Sequence, residues 1–197
     1  MSLHETYTRN QRSETLTIMN DFEIIWEKFE YIIEEMLDGM AFFEGYLLNL
    51  SPEKLDSAIL SLSSHPLNAT FDFSIWSNES KKEEWEKSYT PEEYIEFFKS
   101  QKIILLQTEY LTFQNEFELH LKLTIEEWKD NLIAEIICYR TPILSSHNPK
   151  YAIKAAITEF IRLKDLFGGG SLFIGPDTLK YPENNETYPS EWIKIAD

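Results

Sequence analysis

The sequence predicts an α+β fold: an antiparallel sheet of about four to five strands, helices packed mainly on one face, and an extended C-terminal tail. Two neighbouring stretches predict the sheet. Phe117 to Leu123 alternates apolar and polar side chains, which is typical of a strand with one solvated face. Leu132 to Tyr139 is almost wholly apolar and rich in β-branched residues, which is typical of a strand covered on both faces. Joined by residues 124–131, the two stretches predict an antiparallel pair in the middle of the sheet.

A helical stripe is predicted ahead of the sheet. Apolar residues recur at alternating steps of four and three from Phe22 to Leu47, and Asn20 or Asp21 can cap the helix. Gly39 and Gly45 weaken the later part of the stripe, which makes it the place for a break or bend. Because the stripe continues in no other segment, we interpret it as a helix laid on a sheet rather than a coiled-coil seam. The acidic residues of this helix fall largely off the stripe: Glu23, Glu27, Glu30, Glu34 and Asp38.

Three further helices carry their own start signals. Ser51 and Pro52 begin one of them, with serine as the cap and proline at the first helical position. The stretch Thr90 to Glu93 is a capping box that opens another. Asn148 and Pro149 begin the last helix, and Gly168 ends it.

The remaining strands are short and separated by turn residues. They are predicted at Thr70 to Trp76, at Ile103 to Phe113, and at Leu172 to Ile174 as a short edge strand. From Pro176 the chain holds prolines and asparagines, which indicates an extended coil along the surface. We expect Trp192 and Ile193 to pin the end of this tail.

The chain of 197 residues is long enough for one buried core, and it shows neither an internal repeat nor a low-complexity linker. Residues 1–18 are polar, and we expect a disordered or loosely docked lead-in. Residues 19–197 are predicted to form a single α+β domain.

The formal net charge of -16 limits the partners of this protein. Binding nucleic acid or an anionic membrane requires Lys and Arg to neutralise phosphate, so neither partner is expected, whereas a basic protein is. No apolar run is long enough to span a membrane, and the N-terminus lacks the apolar core of a secretion signal. With a single cysteine, Cys138, the composition agrees with a reducing cytoplasm, which is the predicted location.

Motifs for catalysis, cofactors or metals are missing from the sequence, and none of these sites is predicted. The glycines from Gly168 to Gly170 follow a helix instead of preceding one, so they predict a helix stop and not a phosphate loop. The four histidines are far apart and lack the spacing of zinc ligands. Cys138 is predicted to be a buried structural residue; pairing with His120 is an alternative, because the register of the strands cannot be derived from the sequence.

Two tryptophans set among acids are the candidate partner-binding residues. Trp85 follows Glu83 and Glu84, and Trp128 follows Glu126 and Glu127. Carboxylates can steer and pair with a basic partner while an aromatic ring anchors it. The alternative is that each ring folds back from a loop onto the core.

These observations favour an acidic, non-enzymatic protein-binding inhibitor. A small, acidic, single-domain α+β protein without catalytic motifs resembles in type the immunity proteins of bacterial toxin systems, which are typically acidic because many of their toxins are basic nucleases. The resemblance implies a basic toxin or effector as partner.

Two alternatives stay open at the level of sequence. One is an enzyme whose site is assembled near the central strands from His120, Glu135, Tyr139 and Arg140. The other is a DNA-mimic inhibitor, which needs two rows of carboxylates spaced like phosphates and finds one row on the first predicted helix.

Overall fold

The structure, a computed structural model, describes residues 22–23, 25–27, 30, 43–63, 72–77, 90, 92–93, 95–96, 103–114, 117–128, 131–139, 143, 145–176 and 192–196. Within these residues the strands are β1 (Phe43–Leu48), β2 (Asp72–Ser77), β3 (Ile103–Gln114), β4 (Phe117–Trp128), β5 (Asn131–Cys138), β6 (Ser171–Pro176) and β7 (Ile193–Ala196). The helices are α1 (Pro52–Ser63) and α2 (Pro149–Phe167). Further helical residues are described at 22–23, 25–27, 30, 92–93, 95–96, 143 and 145.

The described strands form one sheet in the order β2-β3-β4-β5-β1-β6-β7, and every neighbouring pair is antiparallel. The α+β fold class is therefore confirmed, with a sheet of seven strands where the sequence predicted about four to five. The pair β4–β5 lies at the centre, as expected. Strand β4 is longer than predicted and runs to Trp128, because Ile125 continues the buried alternation begun at Leu119.

The continuation of the first helical stripe to Leu47 is wrong. Phe43 and Leu47 lie in β1, which pairs with β5 on one side and β6 on the other. Residues four apart lie on one face of a helix, and they also lie on one face of a strand, where side chains alternate with a period of two. Phe43 and Leu47 therefore fit both structures. The start of the stripe is helical as predicted, with Phe22 and Ile25 buried.

Local signals at the helix ends have the geometry that the sequence predicts. The Asn148 side chain caps α2 by accepting a hydrogen bond from the Tyr151 N–H at 3.4 Å. Gly168 ends α2 in the left-handed conformation, with φ of 62°. In the predicted capping box the Glu93 N–H donates to Thr90 Oγ1 at 3.2 Å, and the Thr90 N–H donates to Glu93 Oε2 at 2.9 Å.

The C-terminal strands correct one expectation and confirm another. Leu172 to Ile174 is not at an edge: it lies in β6, between β1 and β7, and all three of its residues are fully buried. The edge position belongs to β7, the end of the predicted tail. Trp192, directly before β7, is 1% exposed, which confirms that it pins the tail.

The helices α1 and α2 cover one face of the sheet, and the main core lies between them and this face. Its residues alternate along the strands, as at Leu121, Leu123 and Ile125 of β4, and meet Ile157 and Phe160 of α2. A smaller buried group lies on the opposite face, which we call the second face. This second-face cluster consists of Tyr46, Leu48, Ile133, Phe173 and Trp192. Among the residues described, no helix is long and apolar enough to cross a membrane.

Candidate functional site

The second face carries the polar side chains of the central strands. The strand register places Tyr46 of β1 opposite Glu135 of β5, and Glu135 opposite Thr124 of β4. Glu126 of β4 pairs with Ile133, which makes it a diagonal neighbour of Glu135 on the same face. Three ionisable groups from three adjacent strands thus converge. We call Tyr46, Glu126 and Glu135 the tyrosine–glutamate cluster.

Burial and mutual repulsion set the ionisation of this cluster. Burial raises the pKa of Tyr46 far above its usual value, and the negative charges of Glu126 and Glu135 raise it further. The pKa of the Glu126 carboxyl is also raised, first by burial and then by the charge of Glu135. A positive charge brought to this place would offset both effects. The arrangement is therefore suited to accept a Lys or Arg side chain, with carboxylate acceptors and a neutral phenol that can donate or accept.

A histidine and a tyrosine meet farther along the same pair of strands. The rings of His120 and Tyr139 have centroids 4.4 Å apart, and the Tyr139 N–H donates to the His120 carbonyl at 2.9 Å. Cys138 pairs with Leu121 and lies in the main core on the helix side. Because side chains alternate along a strand, the Cys138 thiol and the His120 ring lie on opposite faces. The alternative of a Cys138–His120 pair is therefore wrong.

Cys138 is a buried structural residue, as predicted, with 0% of its surface exposed. Burial raises the pKa of its thiol to about 12. A thiol held in its protonated form is a poor nucleophile and a poor metal ligand.

The enzyme alternative is only partly within the described residues. His120 and Tyr139 are in contact, whereas Glu135 of β5 lies four residues before Tyr139, a Cα–Cα distance of about 13 Å in an extended chain. Arg140 lies outside the described residues. General acid–base catalysis needs its groups within hydrogen-bond reach of one reacting atom. With Arg140 undescribed, the enzyme alternative stays a hypothesis.

The sequence-predicted patch is only partly within the structure. Glu126 lies on the second face and belongs to the tyrosine–glutamate cluster. Glu127 and Trp128 end strand β4 instead of lying in a loop, and their side chains are outside the described part. Trp85, Glu83 and Glu84 lie outside it altogether, so the role of these residues stays a prediction.

Sequence reasoning missed Tyr46 as a site residue. The stretch around it was assigned to the helical stripe, so its side chain had no predicted neighbours. The signal that could have found it is the alternation Glu44, Tyr46, Leu48 against Phe43 and Leu47, which has the period of a strand. All of these positions are buried in β1.

The acidic row of the DNA-mimic alternative lies only partly within the described residues. Of the acidic row on the first helix, Glu23, Glu27 and Glu30 are exposed, and Glu23 forms an ion pair with Lys150 of α2. Glu34 and Asp38 are outside the described part, so the DNA-mimic alternative stays a hypothesis. Among the described residues, no three His, Cys, Asp or Glu side chains are grouped to hold a metal ion.

Comparison with known proteins gives one similarity and no family. No protein-family model and no curated protein matches the chain. Among solved structures, it is similar to a chain in the crystal structure of the toxic C-terminal tip of CdiA from Pseudomonas aeruginosa in complex with immune protein. The TM-score is 0.49 and the sequence identity 13%, over 76% of this chain and 93% of that chain. At these values we infer neither fold nor function from the similarity.

Proposed function

We propose that this chain is a non-enzymatic binding protein that recognises a basic protein through the second face of its sheet. The observation that carries the proposal is the convergence of Glu126 and Glu135 beside Tyr46 in a chain of net charge -16. Repulsion between the two carboxylates costs free energy as long as no cation is near. A Lys or Arg from a partner would remove that cost.

The net charge and the cluster have different parts in such binding. The overall negative field accelerates encounter with a basic partner and suppresses encounter with acidic ones, an effect that salt screens. The cluster supplies specificity, because partly buried carboxylates form stronger charge-assisted hydrogen bonds than fully solvated ones. The tryptophans predicted as anchors, Trp85 and Trp128, would extend the contact beyond the cluster.

The specific form of the proposal is an immunity protein that neutralises a basic toxin. A nuclease binds phosphate through a positively charged surface, and an acidic protein that covers this surface blocks it. Such an inhibitor acts where the toxin would act, which agrees with the predicted cytoplasmic location. No catalytic step is needed, only occupancy.

Affinity capture with matched baits tests the proposal. The bait is the tagged chain, used with host extract at low salt and again at high salt, and bound proteins are identified by mass spectrometry. Two double variants are used beside the wild type: E126Q/E135Q, and E53Q/D165N on the helix layer. Both remove two carboxylates, so they change the net charge equally, but only the first alters the cluster.

A basic protein captured by the wild type and by E53Q/D165N, but lost with E126Q/E135Q and at high salt, is the expected result. Its purified form should then bind in a calorimetric titration with the same order of affinities. If both double variants lose the partner equally, the cluster is not the recognition site and only net charge matters. If no basic protein binds at low salt, the proposal fails.

A further inference from the structure

We propose that the C-terminal strand is a strap that holds the tyrosine–glutamate cluster in its binding geometry, with Trp192 as the positioning residue. The consequence for binding depends on the proposed function above; the mechanical part does not. Trp192 directly precedes β7 and belongs to the second-face cluster. It therefore connects β7 to the second face of the sheet.

Trp192 lies in a slot that only glycine provides. A Cβ atom at Gly175 of β6 would lie 2.9 Å from Trp192 Cδ2 and 3.0 Å from Cε3, closer than Cβ atoms approach other carbon atoms. The indole ring therefore packs directly on the backbone of β6. Its exposure is 1%, so the slot and its neighbours enclose it almost completely.

The same ring contacts Tyr46. The two ring centroids are 6.1 Å apart with an interplanar angle of 61°, an edge-to-face arrangement. Gly175 is the cross-strand partner of Glu44, two residues from Tyr46 along β1. Trp192 thus packs against β6 and β1 together, and it limits where the Tyr46 ring can lie relative to Glu126 and Glu135.

Trp192 adds a second anchor to β7, on the face opposite the main core. The strand has four residues, and its register with β6 shifts between Leu172 and Phe173. Ile193, Lys194 and Ile195 are only half-buried. Ile193 and Ile195 pack against the main core on the other face of the sheet. Because a short edge strand gains little from its backbone pairing, the burial of Trp192, the largest fully buried side chain, is a large part of its attachment.

Opening of the strap would change the second face in a defined way. Loss of the Trp192 contact exposes Tyr46 to water and removes one wall of the second-face cluster. The Tyr46 ring then loses one of its packing neighbours, so its position beside Glu126 and Glu135 is less restricted. A partner that binds the assembled cluster would have to order it again, which weakens binding.

A double-mutant cycle at the slot tests the strap without any partner. Gly175→Ala pushes the ring out and leaves it intact, whereas Trp192→Leu removes the ring and leaves the slot. Hydrogen–deuterium exchange of β1 peptides in the full chain is the readout. Each single variant should raise exchange in β1 and β6, and G175A should add nothing once W192L is present, because the two changes break the same contact.

Trp26→Leu is the matched control, since Trp26 packs against the main core on the helix side. In Trp26→Leu, the exchange rate of β1 peptides should not rise more than that of β5 peptides. If W192L unfolds the chain, Trp192→Phe keeps an aromatic ring in the slot and is used in its place. Unchanged β1 exchange in G175A and in the Trp192 variant that folds, or fully additive effects, would overturn the strap.

Binding separates the two proposals. With the basic partner captured above, W192L and G175A should weaken binding several-fold while E53Q/D165N does not. If exchange responds as expected but affinity does not, the strap exists and the second face is not the binding face. If affinity depends on Glu126 and Glu135 but exchange does not depend on Trp192, the proposed function stands and the strap is wrong.

Discussion

Gly45 in β1 and Phe160 in α2 pack so closely that no side chain fits between them. A Cβ atom at Gly45 would lie 2.7 Å from Phe160 Cδ2, and the Phe160 ring also stacks on Phe43, with centroids 5.6 Å apart. Both phenylalanines are fully buried. The glycine is therefore the point at which α2 sits against the sheet, and β1 is fixed by α2 on one face and by Trp192 on the other.

Gly45→Ala should destabilise the protein, because its methyl group must displace Phe160 from a packed core. The expected loss is about 1–3 kcal/mol in the free energy of unfolding, measured by urea denaturation. Phe160→Leu is the control, since it creates space at the same contact and costs stability by itself. In G45A/F160L the two losses should be less than additive. A G45A variant as stable as wild type would contradict the close contact.

Much of the fold can be predicted from short stretches of sequence, but β1 cannot. Asn148 and Gly168 mark the ends of α2 because capping depends on residues within one turn. The residues of β1 fit a helix as well as a strand, and only their pairing with β5 and β6 decides between the two. Their partners lie about a hundred residues farther along the chain, beyond any local signal.

The candidate site also depends partly on local sequence and partly on long-range strand pairing. Glu126 was predicted as a partner-binding residue from its acidic neighbourhood, which is local information. That Glu126 is a diagonal neighbour of Glu135 and that Glu135 lies opposite Tyr46 depends on the registers of two strand pairs. A shift of one residue in either pair would place these side chains on opposite faces. The cluster is therefore a property of the sheet and not of any one segment.

Asn148→Ala should weaken the start of α2, because the Tyr151 N–H loses the Asn148 side-chain acceptor and keeps only the Asn148 carbonyl. The expected loss is about 0.5–2 kcal/mol in the free energy of unfolding, measured by thermal or urea unfolding. Asn148→Asp is the matched control: it keeps the acceptor and adds a negative charge at the positive end of the helix, so it should retain wild-type stability or exceed it. Equal losses in both variants would show that the cap contributes nothing.

The Cys138 thiol should cause a loss of stability in alkali. Its pKa is about 12 in the folded protein against 9.0 in the unfolded chain. Below pH 9 both states hold the proton; above it the unfolded chain releases the proton while the folded protein does not, so stability falls as the pH rises towards 12. Urea unfolding across this range should show a shallower fall in Cys138→Ala than in wild type.

Labelling with a thiol reagent provides an independent check on Cys138. The native protein should react slowly at neutral pH and rapidly in denaturant, because the thiol is fully buried. Rapid reaction of the native protein would mean that the strand opens readily, and the alkaline effect would then be small.

Glu126→Gln should stabilise the free protein while weakening its binding to a basic partner. The pKa of Glu126 is raised in the folded state, by burial first and then by Glu135, so the charged form disfavours folding. The corresponding stability is present at low pH and is lost as the pH rises through the folded pKa. At neutral pH the glutamine variant avoids this loss, and its unfolding midpoint in urea should exceed that of wild type.

The gain in Glu126→Gln should disappear in acid, where the wild-type carboxyl is also neutral. Glu118→Gln is the control, because Glu118 is an exposed carboxylate on the same strand, and its midpoint should change little at either pH. If neutralising Glu126 improves folding but impairs binding, its charge acts in binding, since packing alone would favour the neutral side chain. If Glu126→Gln instead destabilises the free protein at neutral pH, the carboxylate has a structural role and the tyrosine–glutamate cluster loses its main support as a recognition site.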